Sequence, residues 1–90
     1  MKLLAAKTAT TATELSLGKA TAVAVYASAI SIISVVENDG TEGGTSGTVQ
    51  GSVTVPAASL TVIHKETDQF ILANVTNGTY TAIADGGPSR

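Results

Sequence analysis

From residue 20 onward, apolar and polar side chains alternate with a period of two. That is the spacing of a β-strand, whose successive side chains point to opposite faces. Residues 20–26 set Thr21, Val23 and Val25 on one face and Ala22, Ala24 and Tyr26 on the other. Ala27, Ser28 and Ala29 make a connection of small residues, and 30–36 follows as another strand. Its near-continuous apolar run predicts burial on both faces. Residues 48–55 alternate cleanly, with Val49, Gly51, Val53 and Val55 expected to point inward and Thr48, Gln50, Ser52 and Thr54 outward. Pro56 has no backbone donor and ends that strand. The return strand, 60–65, carries Leu60, Val62 and His64 on one face and Thr61, Ile63 and Lys65 on the other.

Shorter signals fill the gaps. Leu15 and Leu17 alternate with Glu14 and Ser16, a short strand closed by Gly18 and Lys19. Residues 37–47 hold four glycines and no aliphatic side chain, the composition of an exposed loop or a wide hairpin end. Glu66, Thr67 and Asp68 form a polar turn, where Thr67 and Asp68 can bond nearby backbone N–H groups. Asn77-Gly78 suits the positive φ angles of a type I′ turn. It predicts a hairpin of 70–76 with 79–84, pairing Thr76 with Thr79, Asn74 with Thr81 and Leu72 with Ile83. On its other face Val75 meets Tyr80 and Ala73 meets Ala82. Residues 1–13 are Ala/Thr-rich, either a first strand or a loose N-terminal arm, and 85–90 reads as a flexible tail. Seven to eight short strands result. The fold class is all-β, a small antiparallel β-sandwich or barrel, with 1–90 as a single domain.

Composition explains why such a domain needs company. Charged residues are 13 % of the chain, against about 25 % in an ordinary soluble domain. Serine and threonine take the polar positions instead. A domain of 90 residues buries only roughly 60–65 % of the surface its unfolded chain exposes. The three aromatics are Tyr26, Phe70 and Tyr80, so the core is aliphatic and thin. Weakly charged strands leave edges that pair and faces that pack, which points to a homo-oligomer or an assembly subunit.

Other classes fall away. Net charge is −2, and the basic residues Lys2, Lys7, Lys19, Lys65 and Arg90 are scattered, which argues against a nucleic-acid partner. With no cysteine there is no disulfide and no thiolate metal site. The apolar stretch after Lys2 stops at Lys7, short of the roughly 7–15 residues of a signal-peptide core. Residues 20–36 carry no charge, but five of them are Thr, Ser or Tyr and the aliphatics are mostly β-branched. A spanning helix needs about 20 apolar residues. No membrane partner is therefore expected; the rival is a membrane or filament subunit using 20–36 as a helix.

No reaction chemistry converges. A Ser–His–carboxylate triad would have to use His64, the single histidine, and no Gly-x-Ser-x-Gly elbow accompanies it. One histidine without cysteine gives no metal-ligand spacing. Glu37, Asn38, Asp39 and Glu42 lack the regular oxygen spacing of a calcium loop. The run from Gly43 to Thr48 lacks the lysine and the following helix of a phosphate cradle. Asn74-Val75-Thr76 and Asn77-Gly78-Thr79 match the glycosylation pattern, which arises often by chance in a Thr-rich chain. The expectation is no catalytic, cofactor-binding or metal residue, no cofactor, no small-molecule substrate and no enzyme.

The order of features over about 20–84 is similar to a known group. A strand Ala-Thr-Ala-Val-Ala-Val-Tyr precedes Ile-Ser-Ile-Ile-Ser-Val-Val-Glu-Asn and a Gly-rich loop. Gly-Ser-Val-Thr-Val-Pro-Ala and Leu-Thr-Val-Ile-His-Lys-Glu-Thr-Asp follow, and then Tyr-Thr-Ala-Ile-Ala. The most specific part runs from Val53 to Asp68. This resembles small virion structural proteins of tailed bacteriophages, notably of marine cyanophages. Where those often carry Arg and Asn, this chain has Val25 and Tyr26-Ala27. The resemblance implies a capsid decoration (cement) protein in the virion, made in the host cytoplasm, with phage capsid or other virion proteins as partners. Neck or tail components are the alternative. The aliphatic strand faces and the arm 1–13 are the expected contact surfaces, with 37–47 and the tail facing outward.

Overall fold

The computed structural model describes residues 2–74 and 76–84. Among them there are eight strands and no helix. Strands β1 (Lys2–Leu3), β2 (Thr8–Ala9), β3 (Ala22–Ala27), β6 (Ser59–His64) and β8 (Gly78–Ala84) form one sheet. In it β8 lies between β3 and the two short strands, and β6 is the far edge. Strands β4 (Ser31–Val36), β5 (Val49–Val55) and β7 (Phe70–Ala73) form a second sheet in the order β5-β4-β7. All pairings are antiparallel. The molecule is the small all-β sandwich that the alternation predicts.

Register decides what is inside. Residues directly opposite each other share a face. Val23 stands opposite Ile63 and Ala82, and Val25 opposite Thr61 and Tyr80. In the other sheet Ile33 stands opposite Val53 and Ala73, and Val35 opposite Gly51 and Ile71. These two rows face each other, and Val23, Val25, Ile33, Val55, Ile71 and Tyr80 form the centre of the core. Tyr80 is fully buried, whereas Phe70 is half-buried and Tyr26 lies on the outside. Each fully buried Val or Ile contributes about 1.5–3 kcal/mol relative to exposure, so so short a roster of large side chains gives a modest core.

The two sides of the sandwich are finished differently. On one side the N-terminal segment runs along both free edges. Leu4 N–H donates to the Ala82 carbonyl at 2.9 Å and Thr10 N–H to that of Gly78 at 3.0 Å, both on β8. Then Ala73 N–H donates to the Thr11 carbonyl at 3.0 Å, and Leu15 and Ile71 exchange bonds of 3.0 and 2.9 Å on β7. Residues 2–15 are thus a tether across the β8 and β7 edges. On the opposite side β5 and β6 end their sheets, with no further strand paired to them among the described residues.

Several local expectations are corrected. The Asn77-Gly78 hairpin does not form, because β7 pairs with β4 and β8 with β3. A type I′ turn needs positive φ at both central residues, and neither Asn77 nor Gly78 has it. Gly78 is there for another reason: a Cβ would collide with the Tyr26 carbonyl oxygen and lie 2.9 Å from Ala27 Cα. Val75 and 85–90, the expected partner of Tyr80 and the expected tail, lie outside the described residues.

Strand β4 is buried on both faces only in part: consecutive Ile33 and Ser34, on opposite faces, are buried and so is Val36, whereas Ile32, and Ile30 before the strand, are exposed. Ser34 Oγ bonds Ser52 Oγ at 2.9 Å, which satisfies the buried hydroxyl. On β5 the alternation is right up to a bulge at Gln50, but of its inward positions only Val55 is buried. Leu15 contributes one bridge rather than a strand, and the turn after it runs left-handed through Leu17, Gly18 and Lys19. Residues 20–36 hold two strands, so the rival helix is absent there, and among the described residues no helix is long and apolar enough to cross a membrane.

Candidate functional site

The Gly-rich loop 37–47 is built around Glu14. The Glu14 carboxylate is fully buried and accepts from Thr41 N–H at 3.0 Å and Gly47 N–H at 2.8 Å. The Glu14 backbone adds bonds to Gly44 and Gly43, of 2.8 and 2.6 Å. A buried charge is tolerable only when its lone pairs are satisfied, and here backbone amides do that. A side chain at Gly47 would meet Val36 and Gly40, so the loop closes over the carboxylate only with glycine there.

The acidic loop residues act separately. Asp39 accepts from Thr48 N–H at 3.0 Å and Thr48 Oγ1 at 2.7 Å. The Thr48 amide and then its hydroxyl hold the Asp39 carboxyl below its ordinary value. Glu42 accepts from Ser16 N–H at 2.9 Å, and Asn38 donates to Asp68 at 3.3 Å. These carboxylates brace the loop rather than converge on an ion, and no metal-binding cluster occurs among the described residues. The run from Gly43 to Thr48 leads into β5, not into a helix.

The asparagines are also engaged. Asn74 Oδ1 accepts from Ile32 N–H at 2.8 Å, and Asn77 Oδ1 from Ser31 Oγ at 2.9 Å. The Asn77 carbonyl accepts from Ser28 N–H at 2.9 Å and Ser28 Oγ at 2.7 Å. Both residues fasten the turn between β3 and β4.

The open side of the sandwich is concave. A cleft of about 850 Å³ lies between β5 and the end of β6. Ile33, Val35, Val53 and Ile63 give it apolar walls, and Gln50, His64, Glu66 and Gln69 supply polar rims. Val49 is 51 % exposed and Val53 43 % exposed. His64 is exposed, opposite Ala22 on the outer face.

Lys65 lines the same cleft and is only 5 % exposed. It follows Thr61 and Ile63 on the inward row, so its stem runs into the interior. Among the described residues its amine makes one hydrogen bond, a long one of 3.5 Å from Nζ to the Glu66 carbonyl. Desolvation lowers its pKa, outweighing the attraction of Asp68 and Glu42. Glu14 and Lys65 are the polar residues that the sequence reading passed over. The strand parity held the signal for Lys65, which shares a face with Ile63. Glu14 offered none beyond a lone charge between apolar neighbours.

Exposed apolar side chains complete the surface. Tyr26 and Leu60 stand directly opposite each other on the outer face, both exposed, and Leu3, Leu4, Ile30 and Ile32 are exposed as well. Against protein-family models, curated proteins and solved structures, the chain has no match.

Proposed function

We propose that this chain is a non-enzymatic virion structural protein, a capsid decoration or cement subunit of a tailed phage that self-associates and works by protein–protein contact. The observation that carries the reading is the division of large apolar side chains. Among the described residues eight such side chains are exposed, against nine Val, Ile and Tyr side chains that are buried. Scattered exposed apolar residues are ordinary, but here Tyr26 and Leu60 form a facing pair and Val49 and Val53 lie along the β5 edge. The resemblance of the strand order to small virion proteins supplies the setting.

A subunit that binds only the assembled shell stabilises it by mass action. Mass spectrometry of purified particles tests the reading, together with native mass measurement of the free protein. The expected result is a stoichiometric shell component whose removal lowers the temperature at which particles release their genome. Absence from particles, or removal without any loss of stability, overturns it. Recovery only from neck or tail fractions moves the protein to those structures.

A further inference from the structure

We propose that the cleft between β5 and β6 receives an extended segment of a different protein, which adds to the free edge of β6 and brings a carboxylate to the Lys65 amine. The proposal rests on the reading of the chain as an assembly subunit and names what one of its surfaces binds.

Three observations carry it. First, the sandwich is sealed on one side only. Residues 2–15 run as a tether along the β8 and β7 edges, while no strand among the described residues pairs with the outer edge of β5 or β6. An added strand on β6 would finish the second side as the tether finishes the first. Second, the space fits a strand's inward side chains. The cleft holds about 850 Å³, Gly51 has nothing within 4 Å of where a Cβ would lie, and Val53 awaits a cover. Third, Lys65 sits on the inward row with its long stem buried and no carboxylate at ion-pair distance among the described residues. A buried cation is stable when paired, so the incoming segment must carry an acid opposite it.

The same charge argues against a second copy as the occupant. None of the eight strands of this chain contains Asp or Glu. A copy's strand laid on β6 would bring no carboxylate from within its own paired span to Lys65. An inward-pointing charge beside an edge also discourages indiscriminate pairing. Lys65 therefore selects: apolar side chains alternating with polar ones satisfy Thr61 and Ile63, and one carboxylate satisfies the amine.

The test uses fluorescein-labelled peptides and the full chain. A peptide Ser-Glu-Thr-Val-Thr-Val-Thr-Ser, antiparallel to β6, sets Glu opposite Lys65 and its valines opposite Ile63 and Thr61. By fluorescence anisotropy it is expected to bind at least about tenfold tighter than the same peptide with Gln for Glu. Amide NMR signals of β6 and of Gly51 to Val53 should shift on binding. Lys65→Met should erase the preference between the two peptides while the protein stays folded. Val53→Lys, on an exposed edge, should weaken both peptides alike. Equal binding of the Glu and Gln peptides, or no binding of either, overturns the proposal. So does protection of the β6 edge by self-association of the free protein, or occupation of the cleft by laurate with the peptide excluded. These failures leave the particle experiment untouched, and absence from particles leaves the peptide result readable.

Discussion

Gly47 N–H donates to Glu14 Oε2 at 2.8 Å across 33 residues of chain. That bond, with the one from Thr41 N–H, turns a glycine-rich loop into a closed cap over a buried carboxylate. Replacing the acid strands both amides, because an unsatisfied buried donor costs about 1–3 kcal/mol. Glu14→Ala is expected to lower stability by at least about 2 kcal/mol in urea unfolding. Glu14→Gln should cost less but still measurably, since its amide nitrogen is a donor turned toward donors. Gly47→Ala should damage the loop as well, through Val36 and Gly40 rather than through charge.

Gly78 tests the strand arrangement. Its Cα passes so close to the Tyr26 carbonyl that no Cβ fits. Gly78→Ala should therefore cost more than about 3 kcal/mol, the range reserved for backbone and core disruptions. If Asn77-Gly78 were a type I′ hairpin turn, Asn77→Gly would be harmless, since that turn accepts glycine at both positions. Here Asn77→Gly loses the bond to Ser31 Oγ and should destabilise by about 1 kcal/mol. Thermal unfolding of the two variants separates the arrangements.

What the sequence told and withheld follows from range. Period-two alternation is local, and it marked β3, β5 and β6 within one or two residues, with Pro56 stopping β5. Which strand lies beside which is not local. The segments now seen as β7 and β8 read as an obvious hairpin, yet each finds its partner in a different sheet. The apolar run of 30–36 is covered on both faces around Ile33, Ser34 and Val36 but not at Ile30 and Ile32, because composition does not record which positions a neighbour covers. For the candidate site, parity put Lys65 with Ile63, but only the packed sheets show that this face is the inner one. The Glu14 cap depends on contacts 27 and 33 residues away, beyond any local pattern.

Among the described residues the buried Tyr80 hydroxyl has no hydrogen-bond partner. Burial pushes its pKa well above the ordinary phenol value, with the Thr11 backbone opposing weakly. A group that resists ionising in the folded state loses stability where the unfolded state ionises. The loss begins above about pH 10 and deepens as pH rises. Tyr80→Phe is expected to be neutral or stabilising by up to about 1 kcal/mol at pH 7, and to flatten the alkaline fall. Urea midpoints from pH 7 to 11 measure both.

Asp39 gives an acid-side signature. Because the Thr48 amide and hydroxyl hold its carboxyl below the ordinary value, its contribution is present above that value, near pH 4, and fades as pH falls through the folded pKa. The Thr48 amide proton should move with this titration by NMR, and Asp39→Asn should leave that proton insensitive to acid. Tracking of the Thr48 signal with pH in the Asn variant would contradict the assignment.

Lys65 makes the opposite prediction to a lysine in a surface ion pair. Desolvation favours its neutral form, while Asp68 and Glu42 partly restore the charge and the Glu66 carbonyl gives one long bond. His64 and Glu66, on the rim, are the other titratable groups of this wall. With the folded pKa lowered, the unfolded state binds more protons between the folded value and the ordinary lysine value near 10.4. Stability should rise with pH across that window, and the cost is present in full below it. Removing the charge removes the cost. Lys65→Met fills the same stem volume and is expected to stabilise the free protein by about 1 kcal/mol at pH 7. The gain stays below that of a dry interior site because water reaches the mouth of the cleft. It should shrink as pH climbs toward the lysine range, which melting temperatures of the two proteins from pH 6 to 11 would show. A destabilised Lys65→Met, or a gain independent of pH, would mean that the amine is already content where it sits.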